Sequence, residues 1–287
     1  MKIGIKTNLY DLAGYGRWGK NLYKKMRIHG YSSLIYDMAN DKTPLYTSSV
    51  KEMEKLLFEE KKLFENSGIE ISQVHGPWRA PIRDSLPEER SERMEQMKKS
   101  IYAATVLECK NWVIHPLMPF GLHDIGKDEE NFTWDINLAF MQELLTFAKE
   151  HSVVICLENM PFTEFSLSKP EKILQFVKLI NDNNFKICLD TGHVCAFKDL
   201  SVGDEVRKLG KEISALHIHD NQVENDLHLM PYLGIIDWKD FASSLKDIKY
   251  KGNFDLETMP SKSLPDSIFE DESKKLVKTA EEIIRNI

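Results

Sequence analysis

Residues 153–193, VVICLENMPFTEFSLSKPEKILQFVKLINDNNFKICLDTGH, hold one complete strand–helix–strand unit. The run 153–158 is aliphatic and β-branched, as is 186–190, and each is short enough for a buried strand. Between them Ile173, Phe176, Val177 and Ile180 recur at helical spacing, which predicts an amphipathic crossover helix. Ser168 and Glu171 have capping-box spacing, and Pro170 suits a first-turn position because the N–H it lacks has no helical partner there. Both strands end in a carboxylate, Glu158 and Asp190.

The same unit repeats along the chain. Strands are expected at 2–7, 32–37, 71–75, 111–115, 153–158, 186–190, 214–219 and 253–257. Helical spacing also links Ile136, Phe140, Leu144 and Phe147, and Leu276, Ala280, Ile283 and Ile284. Ser85, Glu88 and Pro87 repeat the start signal. The charged stretch 51–66 reads as the outer face of a helix, and 120–133 as a long loop after the fourth strand. Eight alternating units imply parallel strands joined by helical crossovers, and closure removes the exposed edges. A single (β/α)8 barrel spanning residues 1–287 follows, since such a barrel needs about 250 residues and no linker divides the 287 present.

Hydrophobic residues make up 42% of the chain, enough for a large core, and the formal charge is −7 without a basic cluster. That balance disfavours a protein that grips a long stretch of nucleic acid. Cys109, Cys156, Cys188 and Cys195 lack CxxC spacing and read as reduced, buried thiols. The N-terminus has no apolar signal core, and no apolar run approaches the about 20 residues of a membrane span, so a soluble, cytoplasmic protein is expected.

In such barrels the active site lies at the C-terminal rim. His75, His115, Glu158, Asp190, His193, His217 and Glu257 all fall at strand ends, and Asp226 and His228 follow in the loop after the seventh strand. Desolvating such groups costs several kcal/mol unless something pairs with them, and a divalent metal supplies that pairing. Imidazole and carboxylate without thiolate suit Zn, Mn, Co or Mg. Asp226 and His228, two apart, diverge in an extended loop but converge in a bent one. His219 shares a strand face with His217 and is expected to hydrogen-bond a ligand rather than bind metal itself. Trp18, Trp78 and Phe120 follow strands one, three and four and could wall a ring-shaped ligand or simply anchor loops. Arg17, Arg79 and Arg83 are candidate phosphate contacts.

The segments CLENMP, CLDTGH, LHIHDN, DLH and DLET resemble the xylose isomerase-like barrel superfamily, which includes sugar epimerases and isomerases, dehydratases and endonuclease IV. The resemblance covers essentially the whole chain. For the sugar enzymes it implies a one-metal site of Glu158, Asp190, His217 and Glu257, with the two glutamates also moving protons. For endonuclease IV it implies a three-zinc site that adds His75, His115, His193, Asp226 and His228. The loops TNLYDLAGYGRWGK, WRAPIRD and PLMPFGLHD depart from DNA-engaging loops.

The leading expectation is a metal-dependent isomerase or epimerase of a sugar or sugar phosphate. It would act through an enediolate, with Glu158 and Glu257 as proton carriers and His193 placed either to hydrogen-bond the enediolate oxygens or to complete a second metal site. A multi-zinc phosphodiesterase or abasic-site endonuclease is the alternative, followed by a polyol or keto-acid dehydratase. A non-enzymatic binding barrel is disfavoured because both glutamates are present. Related barrels commonly pair, so a homodimer or homotetramer is compatible with the resemblance, though the sequence itself does not specify the oligomeric state.

Overall fold

The computed structural model describes residues 1–10, 18–78, 84–120, 127–223 and 225–287. Arg17, Arg79 and Arg83 therefore lie outside the described residues, as do parts of the three loops that follow strands one, three and four.

Eight parallel strands form the barrel: β1 Ile3–Lys6, β2 Ser33–Asp37, β3 Glu70–His75, β4 Asn111–Ile114, β5 Val154–Glu158, β6 Phe185–Asp190, β7 Ile213–His217 and β8 Phe254–Leu256. They pair in the order β7-β6-β5-β4-β3-β2-β1-β8. A bridge between Ile218 and Leu256 brings the two ends together. Ile218 N donates to Asp255 O at 2.9 Å and Glu257 N to Ile218 O at 3.0 Å, so the closing contact sits directly beneath the candidate site.

A main helix follows each strand: α1 Leu22–His29, α2 Val50–Asn66, α3 Pro87–Val106, α4 Glu130–Glu150, α5 Pro170–Ile180, α6 Val202–Leu209, α7 Trp238–Asp247 and α8 Asp266–Ile284. The expected apolar faces are the buried ones: Ile173, Phe176 and Val177 on α5, and Leu276, Ala280 and Ile283 on α8. Two details differ from the expected capping. Each proline takes the first helical position, which moves the N-cap to the residue before it, Leu86 or Lys169, so Ser85 and Ser168 lie one residue outside. Glu89, not Glu88, accepts from the cap nitrogen, Leu86 N, at 2.9 Å. The loop expected over 120–133 also ends early, because α4 already begins at Glu130.

The period of two divides each strand between two environments. Ile5, Leu34, Val74, Ile114, Leu157, Leu189, Leu216 and Leu256 face the helices and belong to one continuous core. Val113, Cys156, Cys188 and Ala215 form a separate small cluster inside the barrel. Two of these four small side chains are cysteines, each two residues before a strand-end carboxylate, Glu158 or Asp190. All four cysteines are free and buried. Among the described residues no helix is long and apolar enough to cross a membrane.

Candidate active site

The inward-facing position at or just after the end of every strand carries a polar, ionisable side chain: Lys6, Asp37, His75, His115, Glu158, Asp190, His217 and Glu257, strand by strand. Lys6 and Asp37 were not singled out by the sequence reading. The signal was present, since they stand two residues beyond Gly4 and Ile35 on the inner face, but a lysine or aspartate leaving a strand reads as solvated. Lys6 is 7% exposed.

The centre of the ring is His217. Its Nδ1 lies 3.0 Å from Glu158 Oε1 and 2.6 Å from Glu257 Oε2. One imidazole nitrogen carries at most one proton, yet two carboxylate oxygens converge on it. Glu158, Asp190, His217 and Glu257 each offer a donor atom, and these atoms lie within 4.8 Å of one another. Such a crowd of buried lone pairs is the donor set a divalent cation satisfies.

The outer oxygens of the two glutamates turn apart. Glu158 Oε2 faces His115 Nε2 at 3.2 Å and His75 Nε2 at 3.7 Å. Glu257 Oε1 accepts from Lys6 Nζ at 2.5 Å, and Lys6 also stands 3.8 Å from Asp37 Oδ1. Burial alone would raise both glutamates, but His217 and His115 hold Glu158 well below the usual carboxylate range, and His217 and Lys6 do the same for Glu257. Burial opposes a charge on Lys6 too, yet Glu257 and Asp37 raise it.

Asp190 is fixed by backbone at the start of a helical turn, Thr191–Cys195, where its Oδ1 accepts from His193 N at 2.8 Å. Asn159 clamps the same point from β5. Its Oδ1 accepts from Asp190 N at 2.8 Å and its Nδ2 donates to Asp190 O at 3.1 Å. His219 Nε2 lies 2.9 Å from Asp190 Oδ1, the expected supporting contact.

A second group forms beside the first. His193, His219, Asp226 and His228 also bring donor atoms within 4.8 Å of one another. His228 has φ 47°, a left-handed bend that turns it and Asp226 the same way, leaving Asp226 Oδ1 3.4 Å from His228 Nε2. Three histidines share a feature of metal ligands. Nδ1 of His75, His193 and His228 lies 2.9, 2.7 and 2.7 Å from the carbonyls of Gly76, Asn159 and Glu257, and a carbonyl can only accept. Each Nε2 is thereby left to face the cavity, the orientation that ligation requires. Burial disfavours charge on His193 and His228, but carboxylates led by Asp190 and Asp226 lift the first to about 10, and Asp226 and Glu257 lift the second to about 9. His75 moves the other way, depressed by burial and then by Lys6 and His115.

The described residues enclose a cavity of about 260 Å³ above the ring. Trp78, edge-on to His115 at 4.5 Å, walls it together with Met160 and Phe162. Trp18 lies away from that lining, edge-on to His29 at 6.3 Å, and Phe120 packs against Phe165 at 5.8 Å.

Fold and rim together define a (β/α)8 barrel with a carboxylate–histidine site of metal-ligand type. The chain belongs to the xylose isomerase-like TIM barrel family, whose model matches residues 29–284. An uncharacterised protein of Methanocaldococcus jannaschii is 28% identical over 212 residues, 71% of this chain and 69% of that protein. The D-psicose 3-epimerase of Ruminiclostridium cellulolyticum is 28% identical over 125 residues, 43% of this chain and 41% of the enzyme. In structure, D-psicose 3-epimerase from Clostridium cellulolyticum H10, solved with D-tagatose, matches over 99% of both chains with a TM-score of 0.79 and 20% identity. The IOLI protein, solved with a zinc atom, matches over 99% of this chain and 96% of its own with a TM-score of 0.71 and 18% identity.

Proposed function

We propose that this chain is a divalent-metal-dependent epimerase or isomerase of a sugar or sugar phosphate that works by proton transfer beside a carbonyl. The observation that carries the proposal is the pair of glutamates, whose inner oxygens converge on His217 Nδ1 while their outer oxygens turn to different partners, His115 and His75 for Glu158 and Lys6 for Glu257. Family membership and the similarity to D-psicose 3-epimerases support the same reading. A cavity of about 260 Å³, at the small end of ligand pockets, suits one sugar unit rather than a polymer.

Glu158, Asp190, His217 and Glu257 would hold the cation, and Mn, Zn, Co and Mg all accept such donors. When bound, it would neutralise charge on adjacent carbonyl and hydroxyl oxygens of an open-chain sugar and so ease loss of the neighbouring carbon-bound proton. Glu158 and Glu257 then divide the work: one takes the proton and the other returns one. Return to the opposite face of the same carbon gives an epimer, and return to the neighbouring carbon an isomer. His193, fixed through Nδ1, presents Nε2 to a substrate oxygen. Trp78 and Phe162 limit water around the reacting carbon.

A second reading rests on the group of His193, Asp226 and His228. If it and the His75–His115 pair hold further cations, the site is multinuclear and suited to phosphodiester hydrolysis. Metal content, followed by solvent deuterium uptake into a panel of ketoses and ketose phosphates, separates the two. The proposal expects about one ion per chain to support exchange, and Glu158→Gln or Glu257→Gln to lower the rate by about 10²-fold or more. Two or three zinc ions with incision of abasic-site DNA would replace the proposal by the hydrolase.

A further inference from the structure

Lys6 is a costly residue to place where it stands. An ammonium taken into a barrel interior loses several kcal/mol of hydration unless partners are held in good geometry. The inward position at the end of β1 could be filled by any small or apolar side chain. Instead the chain puts a cation there, 2.5 Å from one oxygen of Glu257 and facing the same cavity as Glu158. The result is an asymmetry between the two glutamates. Both oxygens of Glu158 face imidazoles, from His217 on one side and His115 and His75 on the other. Glu257 has one oxygen held by Lys6, and only Oε2 turned to His217 and the centre of the ring.

We infer that Lys6 is a positioning residue that pins Glu257 through Oε1, so that Oε2 alone serves the cation and the proton transfer. The activity half of this inference rests on the epimerase reading above, whereas the pinning itself does not. Asp37, 3.8 Å from Lys6 Nζ, steadies the lysine from the far side. Without the ammonium, Glu257 is free to rotate or to offer both oxygens. The same change removes a positive charge that repels a bound cation.

Lys6→Met and Lys6→Arg in the full chain test this by two independent readouts. Titration of metal-free protein with Mn²⁺ is expected to give binding at least about fivefold tighter in Lys6→Met, because a repelling charge close to a ligand has gone. Solvent deuterium exchange into the ketose that the parent accepts is expected to fall at least about tenfold in the same variant despite the tighter metal, as misplacement of a reacting group predicts. Lys6→Arg, which keeps charge and donor, should return both toward the parent. A merely structural lysine would weaken metal binding and activity together. That result, or parent-like values for both, would overturn the inference. If the parent exchanges no ketose, the epimerase reading fails and the Mn²⁺ titration still decides the pinning. Should Lys6→Met not fold, Lys6→Gln, which keeps a donor without the charge, replaces it in both assays.

Discussion

Gly192 illustrates how narrowly the site is fitted. A Cβ at this position would lie 1.9 Å from His219 Cε1 and 2.3 Å from its Nδ1, inside any tolerable contact. His219 is itself fully buried and holds Asp190, so it can yield only by leaving that carboxylate. Gly192→Ala should therefore cost about 1–3 kcal/mol, as overpacking of a close-packed interior does, and weaken metal binding through Asp190. Urea denaturation and a Mn²⁺ titration check both effects, and a parent-like midpoint with parent-like affinity would show that the ring can move aside. Residues of this kind were unequally legible in the sequence. Asp190 and Glu158 announced themselves because an aliphatic strand has no other use for a terminal carboxylate. Lys6 did not, because its meaning depends on Glu257, 251 positions away and adjacent only once the barrel closes.

The loop after β7 shows the same contrast for an element. The spacing of Asp226 and His228 implied that a bend was needed if both were to face one point. The left-handed backbone at His228 supplies that bend. What spacing could not reveal is the anchor. Asp220, fully buried, accepts from Asn221 N at 2.9 Å, Tyr232 N at 2.9 Å, Ile236 N at 3.2 Å and Trp238 Nε1 at 3.0 Å. One carboxylate thereby ties both ends of the loop to the start of α7. Asp220→Ala would leave four donors without their acceptor, and a buried unpaired donor costs about 1–3 kcal/mol. The expected outcome is a loss of about 3 kcal/mol or more, with faster amide exchange over 225–236 and loss of any cation held by His193, Asp226 and His228. Unchanged amide exchange in that segment would mean that its order comes from elsewhere. The strand boundaries themselves were legible to within a residue or two because inner and outer positions differ so sharply in polarity.

Across the whole barrel, the polar interior extends below the site. Asp255, on β8, lies 3.3 Å from Ser33 Oγ and 3.4 Å from Gln73 Nε2. Burial pushes its carboxyl up to about 7, against the lowering contacts of Ser72, His217 and Ser33, from an ordinary value of 3.8. The ring carboxylates run the opposite way. Glu158 and Glu257 are depressed, so the stability they contribute is present above their unfolded values and is lost as the pH falls through the folded ones. For Asp255 the folded chain binds a proton that the unfolded chain has already released between pH 3.8 and about 7, so stability falls as the pH rises through that window. Each pH unit is worth at most about 1.4 kcal/mol, which bounds the whole effect at about 4 kcal/mol. Asp255→Asn keeps the shape, with its oxygen accepting from Gln73 Nε2 and its amide nitrogen donating to Ser33 Oγ, but has nothing to titrate. Measured by urea denaturation from pH 4 to 7.5, the variant should gain on the parent steadily toward neutral pH, reaching its full advantage near pH 7. A difference that does not change with pH would mean that Asp255 is ionised in the folded barrel and stabilised by groups on the inner wall.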